Sequence, residues 1–443
     1  MFNKSQLRRL IIPLIIEQFL AIAMGMVDTV MVSYVGQSAV SGVSLVDNIN
    51  VLLINIFSAL ATGGAVVASQ YLGRRDVKKA QDASKQLLIA VFLLSTTVAV
   101  ACLILRLPLL HAIFSKTEPD VMASAETYFW VSALSYPFIA VYNGGAALFR
   151  VMGQSRTAMT TSLIMNGFNV VGNAIFMYGL QMGVFGAAFS TLLSRILGAV
   201  VVILLLRGAN AQLCIYGITK TKMEGKMVKS ILKVGLPNGL ENGLFQIGKI
   251  LVASLVSTYG TVAVAANAVG SSISYLGCVP SMAIGLAMIT VVGQCVGAGE
   301  YGQAQQYTIK LMKLSYLAML IINAAIILLS PVLVGIYNVP AETAQVGRQL
   351  VLIHAVMGIL IWPASFTMPN ALRASGDARF TMAVALISMW TCRIGLSFVL
   401  GSFLNWGVRG VWVAMTVDWL FRAIVFFFRF KGGKWKTKKV IQD

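Results

Sequence analysis

The feature that most constrains this chain is a series of apolar runs, each about 20 residues or longer, which is the length a helix needs to cross a bilayer. They fall near 10–33, 46–70, 87–113, 127–149, 158–179 and 184–206, then near 232–257, 265–293, 312–336, 349–371, 381–402 and 408–430. Only helices and closed barrels satisfy their backbone groups inside lipid. Runs this long and apolar predict helices, so the expected fold is an all-α polytopic membrane protein with twelve spans. Composition agrees: 58% of residues are hydrophobic and 11% charged, too little polar surface for a water-soluble body of this size. The opening segment reads as a retained first span, because Glu17 and Asp28 interrupt it and no small-residue cleavage site follows.

The net charge of +19 does not indicate nucleic acid, because the bases form no single patch. They recur in alternate loops: Lys4, Arg8 and Arg9; Arg74 to Lys85; Arg150 and Arg156; Lys220 to Lys233; Lys310 and Lys313; Arg373 and Arg379; and the tail from Arg429 to Lys439. The loops near 34–45, 179–183 and 258–264 have no Lys or Arg, with Lys116 and Arg409 as exceptions. Basic loops stay on the cytoplasmic side. Both termini are therefore expected there, in the inner cell membrane, which requires an even number of spans. The five cysteines show no metal-binding or disulfide spacing.

The chain also repeats itself. Pro13-x-x-x-Glu17 returns as Pro237-x-x-x-Glu241, 224 residues on, and Gly36 returns as Gly260. Gln70-x-x-Gly73-x-x-Asp76 returns as Gln294-x-x-Gly297-x-x-Glu300, and Gly183-x-x-Gly186 as Gly407-x-x-Gly410. Arg150-x-x-Gly153-x-x-Arg156 returns as Arg373-x-x-Gly376-x-x-Arg379. Five matches in order at one offset predict two six-helix lobes. An even number of spans per copy makes them a parallel 6+6 repeat about a pseudo-two-fold axis along the membrane normal. The expected division is 1–206, a cytoplasmic linker 207–231, a second lobe 232–430 and a basic tail 431–443. There is no phosphate-binding glycine loop and no soluble domain for catalysis. The expectation is a transporter, not an enzyme, without a cofactor and driven by an ion gradient.

Charged groups at bilayer depth are costly and mark candidate sites. The acids read as intramembrane are Glu17, Asp28, Glu241 and Asp418; the bases are Arg195, Lys249, Arg393 and Arg422. Asp28 lies about five residues from the outer end of span 1, and Asn169 and Asn173 share one face of span 5. Thr191 lies at the same depth in span 6. One carboxylate with amide and hydroxyl oxygens suits a hard cation such as Na⁺; a desolvated Asp28 could instead carry a proton. These four are the expected cation-coupling set. Glu17 and Glu241, each four residues after a proline, are further candidates for coupling or substrate binding; the alternative is a kink with the carboxylate facing a wet cleft. Asp418 and Arg422 are expected to form a structural i, i+4 ion pair, Lys249 to pair indirectly with Glu241, and Arg195 to snorkel.

Pro13-x-x-x-Glu17 with Asp28 and Gly36, the Gly153 loop, Asn169 and Asn173, Gly183-Val-Phe-Gly186-Ala-Ala with Thr191, and the closing Gly407-x-x-Gly410-x-Trp412 together resemble the multidrug and toxic compound extrusion (MATE) transporters over essentially the whole chain. The resemblance implies two six-helix lobes and cation-coupled (Na⁺ or H⁺) antiport of amphipathic, often cationic, organic compounds by alternating access, in a monomer embedded in lipid. It assigns Asp28 to coupling in the first lobe, Asn169 and Thr191 to the cation site, and Glu241 to coupling in some branches. Asn173 stands where many members have a second Asp, and span 10 has no acid where one branch carries one. The alternative is a lipid-linked saccharide flippase of the same superfamily, which would carry a cationic cavity. A major-facilitator reading is weakened because Gly73-Arg74-Arg75-Asp76 lacks that motif's upstream Asp.

Overall fold

The computed structural model describes residues 2–114, 118–208, 212–438 and 440–441, with the Thr219 side chain left aside. Lys116 and Lys439 of the charge pattern lie outside the described residues. The main helices are α1 (Lys4–Ser33), α2 (Gln37–Gly73), α3 (Val77–Ile104), α4 (Pro119–Val151), α5 (Ser155–Asn173), α6 (Gly183–Arg207), α7 (Gly225–Ser257) and α8 (Thr261–Gly297). Then come α9 (Tyr301–Gly335), α10 (Ala341–Ala374), α11 (Ala378–Phe403) and α12 (Gly407–Lys431). A short helix, Arg106–Ile113, follows α3. No strand occurs among the described residues. All twelve predicted spans are helices, most extended by a turn or more at the cytoplasmic end.

Among the described residues, nine of the twelve contain a stretch apolar enough to cross a membrane. The other three, α4, α5 and α7, carry polar groups within the bundle: Tyr128, Ser132, Ser135 and Tyr136 on α4, Ser162, Asn169 and Asn173 on α5, and Glu241 on α7 are buried. Burial beside other helices lets a span hold polar residues that lipid would penalise.

Contacts group the chain into two compact units, Asn3–Gly239 and Leu240–Asp443 with Met1–Phe2, so the division falls inside α7. In the first unit α4 packs against α2, α3 and α6. The α2 run from Gly63 to Gln70 is buried along its whole length, because small side chains let neighbouring backbones approach closely. A Cβ on Gly63 would lie 2.5 Å from the Ile231 carbonyl oxygen. In the second unit α8 takes the corresponding central place, packed against α9 and α10.

The repeat is legible in the backbone. α5 ends in a widened π-type turn, Ala174–Gly179, and α11 in another, Phe398–Phe403, 224 residues on. After each, a polar residue adopts positive φ, Gln181 at 52° and Asn405 at 56°. Gly183 and Gly407 follow at 55° and 56°, a left-handed conformation that glycine adopts without steric cost. The next helix then presses on the widened turn: a Cβ on Gly186 would lie 2.9 Å from the Phe176 carbonyl carbon, and one on Gly410 2.7 Å from that of Leu400. Both glycines of each Gly-x-x-Gly pair are thus required, for different reasons.

Candidate functional site

In the first unit, α1, α5 and α6 bring the four predicted cation-site residues together. Asn173 Nδ2 donates to Asp28 Oδ1 at 2.9 Å. With its amide nitrogen facing the acid, Asn169 donates to Asp28 Oδ1 and Oδ2 at 2.8 and 3.2 Å and accepts from Thr191 Oγ1 at 3.2 Å. The one-turn spacing of Asn169 and Asn173 puts both amides on the face toward α1. Ser190 Oγ donates to the Asn169 carbonyl oxygen at 2.7 Å, which ties α6 to α5 beside the cluster. Asn169 and Asn173 are buried, whereas Asp28 and Thr191 are half-buried.

These side chains, Asn169 excepted, open on a cavity of about 180 Å³ that also receives Asp47 of α2, Tyr128 of α4 and Arg195 of α6. The sequence reading missed Asp47. It placed span 2 from residue 46, whereas α2 begins at Gln37, so Asp47 lies nearly three turns inside the helix. Its i, i+3 partner Asn50 was the available signal: Asn50 Nδ2 donates to Asp47 Oδ1 at 3.1 Å, and the buried Tyr136 hydroxyl donates to Asn50 Oδ1 at 2.8 Å. Arg195 does not snorkel. It donates to Ser135 Oγ at 2.6 Å and lines the cavity, because it sits about three turns into α6 and has a polar partner on α4. The cavity therefore sets two carboxylates against one guanidinium.

The donor set fits a hard monovalent cation. Asp28, two amide oxygens and the Thr191 hydroxyl are all oxygen ligands, and the Asn173 Oδ1 atom is buried without a hydrogen-bond partner. An orphaned buried oxygen beside a carboxylate is costly unless something satisfies it.

Glu17 and Glu241 stand apart from that cluster. Arg150 Nη2 donates to Glu17 Oε1 at 2.8 Å, and Arg373 Nη2 donates to Glu241 Oε1 at 2.7 Å. Each proline–glutamate motif is paired with its own copy's arginine–glycine loop. Rather than facing a wet cleft alone, both carboxylates are buried and ion-paired.

In the second unit a cavity of about 390 Å³ lies among α7, α8, α10, α11 and α12. Its charged lining consists of Glu241, Lys249, Arg373, Arg393 and Arg422, with Phe245, Trp362, Phe366, Trp412 and Trp419 among its aromatic walls. Asp418 is wholly buried behind it, accepts from Arg422 Nε at 2.9 Å and is bonded to Ser388. The predicted Asp418–Arg422 pair is thus present, with Arg393 Nη1 further away at 3.9 Å. Lys249 does not reach Glu241 through a bridging partner: Glu241 is taken by Arg373, and no hydrogen bond or ion pair of Lys249 occurs among the described residues.

Comparison with known proteins agrees with this architecture. The MatE family model matches twice, over residues 13–175 and 237–399, starting at Pro13 and Pro237. A "Probable multidrug resistance protein NorM" of Thermotoga maritima is 27% identical over 99% of this chain and 94% of its own. "Uncharacterized transporter YisQ" of Bacillus subtilis is 27% identical over 96% of this chain and 94% of its own. Among solved structures, the "Outward-facing conformation of a multidrug resistance MATE family transporter of the MOP superfamily" superposes with a TM-score of 0.90 at 22% identity, covering 97% of this chain and 96% of that one. Two matches of one family model, each on a copy of the repeat, show that this chain, a multi-pass membrane protein of twelve helices, belongs to the MatE family of transporters.

Proposed function

We propose that this protein is a multidrug efflux antiporter in which entry of a cation, Na⁺ or H⁺, drives export of amphipathic organic compounds, with Asp28 as the coupling acid. The observation that carries the reading is the Asp28–Asn173–Asn169–Thr191 cluster opening on a cavity. Relatives named as multidrug resistance proteins along nearly the whole chain support drug-like substrates and do not favour a lipid flippase. Alternating access would move the lobes 1–206 and 232–430 about the linker 207–231, with both termini cytoplasmic.

The amides give the site two settings. With both nitrogens on Asp28 the carboxylate is stabilised as an anion. Turned over, the Asn169 amide presents its oxygen to Asp28, where it would repel an ionised acid but accept from a protonated one or help hold a cation. Asn173 Oδ1, already without a partner, is available to the same cation. Binding of a proton or Na⁺ then exchanges one local hydrogen-bond arrangement for another, which is how an ion biases one state over the other.

The experiment is efflux from proteoliposomes with a Na⁺ gradient and a proton gradient imposed separately, for the parent protein and Asp28→Asn. The parent is expected to extrude substrate under one of the gradients, and Asp28→Asn under neither. Parent-rate efflux by Asp28→Asn under both gradients would sink the reading.

A further inference from the structure

We propose that the cavity of the second unit is an anion-recognising subsite that takes the carboxylate or sulfonate end of an aromatic organic anion. This names a substrate class for the transporter and rests on the efflux reading above, though the site is defined by its own residues. The charge count is the first support. Four cations, Lys249, Arg373, Arg393 and Arg422, line the cavity. Two carboxylates answer them within hydrogen-bond distance: Glu241 holds Arg373 at 2.7 Å, and Asp418 holds Arg422 at 2.9 Å. Arg393 stands 3.9 Å from Asp418, beyond a hydrogen bond, and its Nε is buried without a partner. Lys249 has no carboxylate at all within reach among the described residues. Two cations face one enclosed space in excess of its anions, and a buried charge without a counterion is strongly unfavourable.

The walls supply the second support. Phe366 is stacked on Trp362 with ring centroids 4.8 Å apart and meets Trp419 edge-on at 6.1 Å. Arg393 and Arg422 lie over the Phe245 ring at 5.3 and 5.4 Å. These contacts hold the guanidinium planes in place, so their outward N–H groups converge without further ordering. A volume of about 390 Å³ with aromatic sides and convergent donors suits a flat ring system bearing one anionic group. The acidic cavity of the first unit, with Asp28 and Asp47, has the opposite character, so the two cavities favour opposite ends of a zwitterion.

The test is equilibrium binding to the full-length protein in phosphatidylcholine nanodiscs, without any gradient, using tritiated 1-naphthoate and the size-matched cation 1-naphthylmethylammonium. Naphthoate should bind saturably and the cation should not compete. Lys249→Gln and Arg393→Gln should each weaken naphthoate binding about tenfold or more, and Lys249→Arg should restore it to within a few-fold. Lys249→Gln breaks no bond in the fold, so it decides the matter even if Arg393→Gln fails to fold. The proposal is overturned if the cation binds this site better than the anion, or if Lys249→Gln binds naphthoate like the parent. It is also overturned if phosphatidylglycerol in the nanodisc displaces naphthoate, because the cavity is then a lipid-headgroup site. Asp28→Asn separates the two readings: it should lose efflux and keep naphthoate binding. Naphthoate binding that depends on Lys249, in a protein without gradient-driven efflux, would leave this site standing and remove the antiport reading.

Discussion

Arg150 donates to Glu17 at 2.8 Å, and 224 and 223 residues later Glu241 and Arg373 repeat the same bond at 2.7 Å. In each copy the ion pair ties the helix that opens the copy, just after its proline, to the end of the fourth. A proline removes a backbone hydrogen bond and weakens the helix locally; the glutamate one turn later anchors that segment to a second helix.

Removing one partner of a buried pair leaves an uncompensated charge, at a cost of about 3–5 kcal/mol, whereas removing both can be close to neutral. Arg150→Met alone should therefore lower thermal stability in detergent much more than Glu17→Gln with Arg150→Met. Arg373→Met and its double with Glu241→Gln should behave the same way. Equal midpoints for the single and double variants, measured by light-scattering melts, would show that the pairing does not stabilise the fold.

A second carboxylate beside Asp28 should tighten a Na⁺ site, because affinity for hard cations rises with ligand charge. Asn173→Asp is expected to lower the Na⁺ concentration for half-maximal efflux by about tenfold, equivalent to ~1.4 kcal/mol. If the protein is driven by protons, the same change should instead create Na⁺ dependence where none existed. Flux measured across a Na⁺ series at fixed pH checks both outcomes.

Asp47 faces the Asp28 cavity and is held by Asn50. Asp47→Asn keeps the shape and removes one negative charge opposite Arg195. Its expected effect is a several-fold rise in KM for cationic substrates with little change in the folded yield. A purely structural role would show the reverse, with lost yield and an unaltered KM.

Gly186 and Gly410 should tolerate no side chain, since an added Cβ would fall inside contact distance of backbone atoms that cannot move aside. Overpacking of this kind costs about 1–3 kcal/mol. Gly186→Ala and Gly410→Ala should each reduce the monodisperse peak in size-exclusion chromatography, and the double variant should lose it. Gly167→Ala, with open space around it, is the matching control.

The apolar runs, the alternating charge of the loops and the five repeated motifs were sufficient for twelve helices in two copies. Lipid demands internally bonded helices of one length, so that information is local and survives in the linear chain. Asp28, Asn169, Asn173 and Thr191 could be grouped from sequence because helical spacing and span direction fix depth and face. What a repeat cannot reveal is which of its motifs meet. Glu17 and Arg150 are 133 positions apart, and only the packing of α1 against the end of α4 joins them. Asp47 was hidden by an unseen extension of α2, and Arg195 gave no sign that Ser135 of α4 would hold it inside. The gathering of Lys249 and three arginines around one aromatic-walled cavity was likewise a tertiary outcome. Charge is written residue by residue, but whether a cation is neutralised depends on distances across helices, and only the folded arrangement sets those.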